Sequence, residues 1–373
     1  MPTPRFEIDA DIRRAQTLPA WVYADPGVYA QVRERVFARS WQFIGDTDAV
    51  KSPGQVHALT LLDGCLGEPI LLTRDLDDRV HCLSNVCTHR GTVLVDPGRV
   101  ASAVGGSSER DRHIRCCYHG RRFALDGTFL SMPEFEQAEG FPSEKDNLPR
   151  IPFGAWGHLL FASIAPPFPL DDLLREARAR LSWLPIEQFR FDPARSKDYL
   201  VRANWALYVD NYLEGFHIPF VHASLAQALD YGEYACETYR HANLQLGIAR
   251  PGEACFDLPA SSPDHGRRVA AYYYWLFPNT MLNFYPWGLS VNVVRPLGVD
   301  LTKVSFLSYV WDASRLDSGA GAGLDRVERE DETVVESVQL GVRSRLYERG
   351  RYSPTREQCV HHFHALLARA LHD

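Results

Sequence analysis

Two stretches of the sequence concentrate side chains that can hold metal. In the first, Cys87 and His89 stand two apart in "CTHRG", and Cys116 and His119 stand three apart in "CCYHG". Each pair ends just before a glycine, where a tight loop can present ligands. Two thiolates and two imidazoles suit a single zinc ion. They also suit a two-iron, two-sulfide cluster in which both cysteines hold one iron and both histidines the other. The order within the loops favours the cluster, because each loop can then give one ligand to each iron. The flanking runs read as strands and turns, without the helix that would follow the second pair in a zinc finger. Only Cys116 completes Cys-x-x-His with His119, so Cys117 takes the variable position.

The second stretch is "VDNYLEGFHIPFVH", Val209 to His222. On a helix Asp210, Glu214 and His217 share a face. Pro219 then breaks the helix, and the chain can turn so that His222 returns towards His217. Two imidazoles so placed can hold one metal. A carboxylate from elsewhere would complete a facial triad with open positions for O₂, the pattern of non-haem Fe(II) oxygenases. "VHHFH", Val360 to His364, offers another histidine pair, His361 and His364. There Val360, Phe363, Leu367 and Leu371 already account for an amphipathic helix, and metal binding is not needed to explain it.

These residues need elements to position them. The first forty residues read as helical, with helix-face spacing in "PGVYAQVRERVFARSWQF". From about Lys51, "VHALTLL", "EPILLTRD" and "RVHCLSNV" are short strand-like runs between Gly, Pro and Asp turns, the pattern of a small antiparallel β domain. That pattern continues through "RRFALDGTFL" to "WGHLLFASIAPPFP", whose prolines mark a linker. The following region combines a helical stretch near 200–217, strands in "RVAAYYYWLFP", "LSVNVVRPLG" and "TKVSFLSYVWD", and helices near 324–342 and 354–371. "SGAGAG" fails the dinucleotide pattern because Leu324 stands at the third glycine position, so it reads as a connecting loop.

Composition bounds the rest. The chain has 373 residues, 45% hydrophobic and 23% charged, values of a soluble globular protein with room for two domains. A net charge of −7 argues against nucleic acid or an anionic membrane as partner. The charged start, "MPTPRFEIDADIRRAQ", lacks the apolar stretch of a secretion signal, so the expected location is the cytoplasm. The eight cysteines are then expected as thiols or metal ligands rather than disulfides.

"CTHRG" and "CCYHGRRF" resemble the loops of the Rieske oxygenase family. The 26 residues between His89 and Cys116 exceed the family's usual gap, and "PGRVASAVGGSSERDRH" reads as a polar surface insertion. "NYLEGFHIPFVH" resembles the family's mononuclear iron motif, and "EREDETVVESVQLG" its C-terminal acidic segment. The resemblance implies an α+β protein, with a small antiparallel-β Rieske domain at 40–165. The helix-grip catalytic domain, built on an antiparallel sheet, would comprise 1–39 and 166–373. It implies a [2Fe-2S] cluster on Cys87, His89, Cys116 and His119, and mononuclear Fe(II) on His217, His222 and Asp331, with Asn211 nearby. Glu214 would be the carboxylate linking this iron to a neighbouring subunit's cluster, and Asp210 an acid supporting the same network. Glu328, Glu330, Glu332 and Glu336, which flank Asp331, read as a solvated helix face. The implied activity is O₂-dependent hydroxylation or oxidative N-demethylation of a small organic substrate, within a homotrimer. No flavin or nicotinamide motif is present, so electrons would come from a separate NAD(P)H-dependent reductase or a ferredoxin. Glu in place of the commoner Asp at 214 resembles the subgroup acting on quaternary ammonium compounds. The dense aromatics of "YYYWLFPNTMLNFYPWG" would either line the substrate cavity or simply pack a sheet. Aromatic-ring dioxygenation or O-demethylation is the alternative chemistry. An electron carrier with a non-catalytic binding domain and a zinc-structured binding protein are the alternatives of another class.

Overall fold

Short apolar runs interrupted by turn residues can satisfy their backbone only by pairing with one another, and in the first region they do so in three small antiparallel sheets. The computed structural model describes residues 5–96, 100–102 and 112–372. Within it, Trp41–Leu170 forms one compact unit. The residues up to Ser40 and those from Asp171 onward form the other.

The smaller unit contains β1 (Gln42–Asp46), β2 (Gln55–Leu61), β3 (Glu68–Arg74), β4 (Val80–Ser84) and β5 (Val100–Ser102). It continues with β6 (Ile114–Arg115), β7 (Arg122–Phe123), β8 (Phe129–Ser131), β9 (Phe153–Trp156) and β10 (Leu159–Ala162). The sheet orders are β1-β10-β9, β4-β3-β2-β5 and β6-β7-β8. Alternation along β2 and β3 turns Val56, Ala58 and Leu71 inward. There they meet Leu83, Ile114, Phe123, Leu125 and the side chains of Cys87 and Cys116. The two candidate cysteines are thus part of this unit's core. The expected surface insertion falls largely on 97–99 and 103–111, outside the described residues. Between them β5 pairs with β2, so that part of the stretch is strand rather than loop.

In the larger unit the N-terminal helix is confined to α1 (Pro26–Arg35), shorter than expected. Asp25 caps it by accepting from the Gly27 and Val28 amides, and Pro26 fits only a first turn, so the helix cannot extend backwards. α2 (Leu170–Arg180) leads to β11 (Arg190–Val201), α3 (Trp205–Tyr212), α4 (Ile218–Val221) and α5 (Ala223–Ala228). A run of strands follows: β12 (Ala235–Thr238), β13 (Ala242–Ile248), β14 (Val269–Leu276), β15 (Thr280–Tyr285), β16 (Gly288–Pro296) and β17 (Thr302–Val310). α6 (Leu324–Gly341) and α7 (Gln358–His372) close the unit. The seven strands make one antiparallel sheet in the order β11-β17-β16-β15-β14-β13-β12.

Register decides what this sheet shows its helices. Gln245, Tyr273 and Asn283 are cross-strand partners, as are Trp275, Met281, Asn292 and Phe306, and their numbering places them all on one face. On that face Trp275 meets Phe363 of α7 edge-on, with centroids 5.3 Å apart. The opposite face carries Tyr272, which bonds Asp264, and Tyr274 beside Phe284. The aromatic run therefore does both of the things expected of it: alternate residues line a cavity and pack the sheet's back.

One cysteine expectation fails. Cys236 on β12 and Cys359 on α7 form a disulfide, their Cα atoms 6.4 Å apart. Helix packing on the edge strand creates this proximity, and 123 residues of separation hide it from the sequence. Cys65, Cys82, Cys87, Cys116, Cys117 and Cys255 remain outside any disulfide. Among the described residues no helix is long and apolar enough to cross a membrane.

Candidate active site

The two Cys-His loops are built alike. In the first, the Cys87 amide donates to the Thr92 carbonyl and the Gly91 amide to the Cys87 carbonyl, at 2.8 and 3.0 Å. In the second, the Cys116 amide donates to Arg121 and the Gly120 amide to Cys116, at 2.8 and 3.1 Å. Gly91 and Gly120 adopt φ of +71° and +77°, conformations open to glycine at little cost. Each loop thereby turns its cysteine inward and its histidine outward. Cys87 and Cys116 are 3% and 2% exposed, with their thiols in hydrogen-bonding reach of each other. The His89 and His119 rings meet edge-to-face at 4.9 Å. Cys117 points to solvent.

Asp146 fastens both loops. Its carbonyl accepts from the Thr88 hydroxyl at 2.8 Å, and its carboxylate accepts from the buried Arg121 guanidinium at 2.6 Å. Arg121 also lies over the Phe129 ring, 4.9 Å from its centroid. Burial raises the Cys87 thiol above its ordinary pKa, and the neighbouring Cys116 adds to this. Burial and the adjacent His119 lower that of His89, as a neutral ligand requires. The donors also distinguish the two metal groups left open by the sequence. A tetrahedral zinc needs its ligand atoms gathered around one point. Among the described residues, the group whose donor atoms all lie within 4.8 Å of one another is a different one. Here thiol meets thiol and imidazole meets imidazole, the division that a two-iron cluster needs.

The different group is His217, His222 and Asp331. Its construction departs from the expected single helix. α3, capped by the Asn204 side chain on the Ala206 amide, ends at Tyr212. Glu214 lies beyond it and folds back, its Oε2 accepting from the Phe216 and His217 amides. Pro219 starts α4 rather than ending a helix, since its ring suits a first turn and removes an amide left unpaired there. His222 follows α4 and is 1% exposed.

Carboxylates orient both rings. His217 Nδ1 donates to Glu214 Oε1 at 2.7 Å, and His222 Nδ1 donates to Glu330 Oε2 at 2.8 Å. Both Nε2 atoms are thus left facing each other at 3.1 Å, with Asp331 Oδ1 at 3.0 Å from that of His222 and 3.5 Å from that of His217. Asn211 Nδ2 donates to the same Asp331 oxygen at 2.6 Å. Burial depresses the His222 imidazole, but Asp331 and Glu330 outweigh it and leave its pKa raised. Two aromatic nitrogens and an acid oxygen converging on one point, with the far nitrogens pinned by carboxylates, form a cradle fitted to a single metal ion.

Asp210 is not part of this cradle, and the expectation that it supports the same network is corrected. Because α3 ends at Tyr212, Asp210 and Glu214 do not share a helix face. The Asp210 carboxylate instead accepts from the Tyr23 hydroxyl and pairs with His364 Nε2, both at 2.7 Å. His364 bonds Tyr352 through Nδ1 at 2.6 Å. The histidine set aside as a metal candidate thus anchors the back of α3, while His361 reaches the Asp9 carbonyl.

Two acids of α6 were missed. Glu330 orients His222, as described. Glu328 is 2% exposed and accepts from the Tyr208 hydroxyl at 2.5 Å. Helical spacing contained the signal, for Glu328, Asp331, Val335 and Gln339 repeat on one side of α6, and Glu328, Val335 and Gln339 are buried there. Glu336 is half-buried and accepts from the Arg202 amide.

Next to the cradle opens a cavity of ≈ 720 Å³, counted to its solvent-filled mouth. Its walls include Tyr208, Tyr212, Tyr234, Tyr273, Tyr285 and Phe306. Burial raises the pKa of all five phenols, which stay neutral. Tyr212 donates to Asn283 Oδ1 at 2.6 Å, and Gln245 donates to the Tyr212 carbonyl at 2.6 Å. The buried polar residues of the sheet thus hold the aromatic walls in place. Glu214, Glu328 and Asp331 reach the cavity, and among the described residues lining it none is Lys or Arg.

Comparison with known proteins gives the same division. Residues 40–142 match the Rieske [2Fe-2S] domain, and 181–373 match the catalytic domain of ring hydroxylating alpha subunits. The chain is 29% identical to a chloroplastic choline monooxygenase of Arabidopsis thaliana, over 97% of this chain and 84% of that protein. It is 28% identical to the carnitine monooxygenase oxygenase subunit of Escherichia coli K12, over 98% and 96%. Its fold matches a solved quaternary ammonium Rieske monooxygenase, described for carnitine oxidation and inter-subunit electron transfer. That match has a TM-score of 0.77 and 23% identity, over 98% and 99% of the two chains.

Proposed function

Because the chain belongs to the family of ring hydroxylating alpha subunits, with a Rieske domain ahead of its catalytic domain, it is the oxygenase component of a two-centre iron enzyme, and we propose that its substrate is a small quaternary ammonium compound. The observation that carries this reading is the cavity, with five tyrosines, a phenylalanine and three acids in its wall and no Lys or Arg among the described residues that line it. Aromatic faces attract alkylammonium groups by ~0.5–2 kcal/mol each, most strongly when dry. An aromatic hydrocarbon would gain nothing from the acids.

We assign the cluster to Cys87, His89, Cys116 and His119, and the mononuclear iron to His217, His222 and Asp331. Loaded with iron, the cluster supplies electrons and the His₂-carboxylate site supplies O₂ chemistry. The protein's part is orientation. Glu214 and Glu330 fix the two imidazoles, and Asn211 fixes Asp331. The phenols hold the substrate's head and, being neutral and buried, exclude water around the reacting carbon.

Electrons reach the cluster from a separate NAD(P)H-dependent reductase or ferredoxin. They pass between subunits of a homotrimer to a neighbour's iron, with Glu214 at the crossing. Phe216 and Phe220, 42% and 81% exposed beside His217, support a docking face there. A cytoplasmic location belongs to the same reading. The test is oxygen uptake by the iron-loaded protein with a reductase, across choline, carnitine and betaine analogues, naphthalene-type hydrocarbons and methoxybenzoates. Coupled product formation from the cations supports the reading. Turnover of the aromatic compounds alone would overturn it.

A further inference from the structure

The cavity contains a charge that the metal cradle does not use. Glu328 lies one helical turn before Asp331 on α6, is 2% exposed, and lines the cavity wall. Its Oε2 accepts from the Tyr208 hydroxyl, and its Oε1 is buried without a hydrogen-bond partner among the described residues. A buried carboxylate oxygen left without a donor is costly, and folds retain one where something else compensates. The cavity that Glu328 lines is otherwise walled largely by phenols, Phe306 and the side-chain amides of Gln245, Asn283 and Asn292. The nearest cationic side chain on α6, Arg329, pairs instead with Glu332 and Tyr199. A ligand bearing N–H groups could donate to Oε1. A quaternary ammonium cannot donate, but it can sit against one bare carboxylate oxygen within a cage of aromatic faces.

We propose that Glu328 is the counter-charge for the cationic head of the substrate, and that the preferred substrate is a cation with no carboxylate of its own. This rests on the quaternary ammonium reading above and sharpens it. A zwitterion would bring its carboxylate into a cavity whose ionisable groups near the cradle are the acids Glu214, Glu328 and Asp331, with no Lys or Arg among the described lining residues to receive it. A choline-like cation ends instead in a neutral hydroxyl, for which Asn283, Asn292 and Gln245 offer partners on the sheet face. Burial keeps the Glu328 carboxyl protonated when it is alone, and an adjacent cation favours the ionised form, so the pairing is made on substrate entry.

The test is isothermal titration calorimetry on the anaerobic iron-loaded protein with three probes. These are choline, its uncharged carbon isostere 3,3-dimethyl-1-butanol, and L-carnitine. The wild type should bind choline more tightly than either of the others. Glu328→Gln keeps the Tyr208 hydrogen bond and removes the charge. It should weaken choline by about 10–100-fold and leave the isostere within about twofold. Equal loss for choline and isostere would mark Glu328 as structural and overturn the proposal, as would unchanged choline binding. Wild-type carnitine binding as tight as choline would overturn the second part. If the Gln variant does not fold, Glu328→Asp, which retains the charge, must keep the preference for choline over the isostere, and its loss there would overturn the proposal. A wild type that binds no quaternary ammonium at all would instead overturn the substrate class on which the proposal stands.

Discussion

In the cluster domain, main chain does the positioning; in the catalytic domain, carboxylates do. Cys87 and Cys116 sit in loops closed by their own amides and carbonyls, with Gly91 and Gly120 allowing the turn. His217 and His222 sit at the ends of a four-residue helix, too short to fix a ring, and owe their orientation to Glu214 and Glu330. The difference teaches that one kind of metal-site rigidity is local and the other tertiary. A backbone loop carries its geometry wherever it is placed. The imidazole of His222 depends on a carboxylate 108 residues away in sequence, whereas that of His217 is pinned from within its own turn by Glu214.

That contrast predicts how each site fails. The largest effect should come from His222→Ala, which removes a ligand that nothing local can replace. Metal analysis should show iron falling from about three to about two per chain, with the visible absorption of the cluster kept. Loss of both centres together would mean the sites are not independent. Cys116→Ser should do the reverse and abolish the cluster spectrum, while Cys117→Ser, at the surface, should leave it intact.

Glu214→Gln and Glu330→Gln come next. An amide is a weaker acceptor for the imidazole N–H, so each should cost about 10–100-fold in turnover or iron affinity. For Glu330→Gln the readout is iron retained after dialysis against a chelator. For Glu214→Gln it is substrate oxidation measured at normal iron content. Wild-type behaviour of both variants would show that backbone alone holds these rings.

The acids around α6 give a smaller, pH-dependent effect. Burial pushes the Glu328 carboxyl up to about 8, against the hydrogen bond from Tyr208, and with Asp331 and Glu332 adding to the rise and Arg329 opposing it. Only the ionised form pairs with a cation, so below pH 8 part of the binding energy is spent on releasing the proton. Choline affinity should therefore rise by up to about tenfold per pH unit from pH 6 to 8 and level off above. A profile equally steep in Glu328→Gln would assign the titration elsewhere.

The smallest effect belongs to the loops. A methyl at Gly91 would meet no atom of the described residues within 4 Å, so Gly91→Ala tests the left-handed backbone. It should cost about 1–2 kcal/mol and lower the melting temperature by a few degrees, with the cluster still assembled. A larger loss would mean that the loop is held by more than its turn.

The same contrast explains what could be read in the sequence. Spacing within one loop encodes geometry when main chain does the work, and the two Cys-His pairs singled out by spacing do come together. The strands behind them were legible as apolar alternation. Around the mononuclear site, spacing misled wherever the helix did not continue. Asp210 was read as Glu214's neighbour on one face, but α3 stops between them and Asp210 goes to Tyr23 and His364. Charge makes Glu328 and Glu330 look like a solvated face, although 328, 331, 335 and 339 share one side of α6 and three of the four are buried. The Cys236–Cys359 pair has no local signature at all.

The anchoring of α3 from behind also sets a timetable. Tyr23 precedes the cluster domain, whereas Tyr352 and His364 come at the far end of the chain, yet Tyr23 and His364 meet at Asp210, with Tyr352 behind His364. Gln16 pairs with Arg351, and Phe6 meets the His372 ring edge-on. On a ribosome adding about 5–20 residues per second, the N-terminal segment must wait on the order of half a minute for its partners to emerge. Trp41–Leu170 is meanwhile synthesised in full. The nascent chain can therefore receive its cluster before its catalytic half exists, and the oxygen-reactive site is the last to take shape.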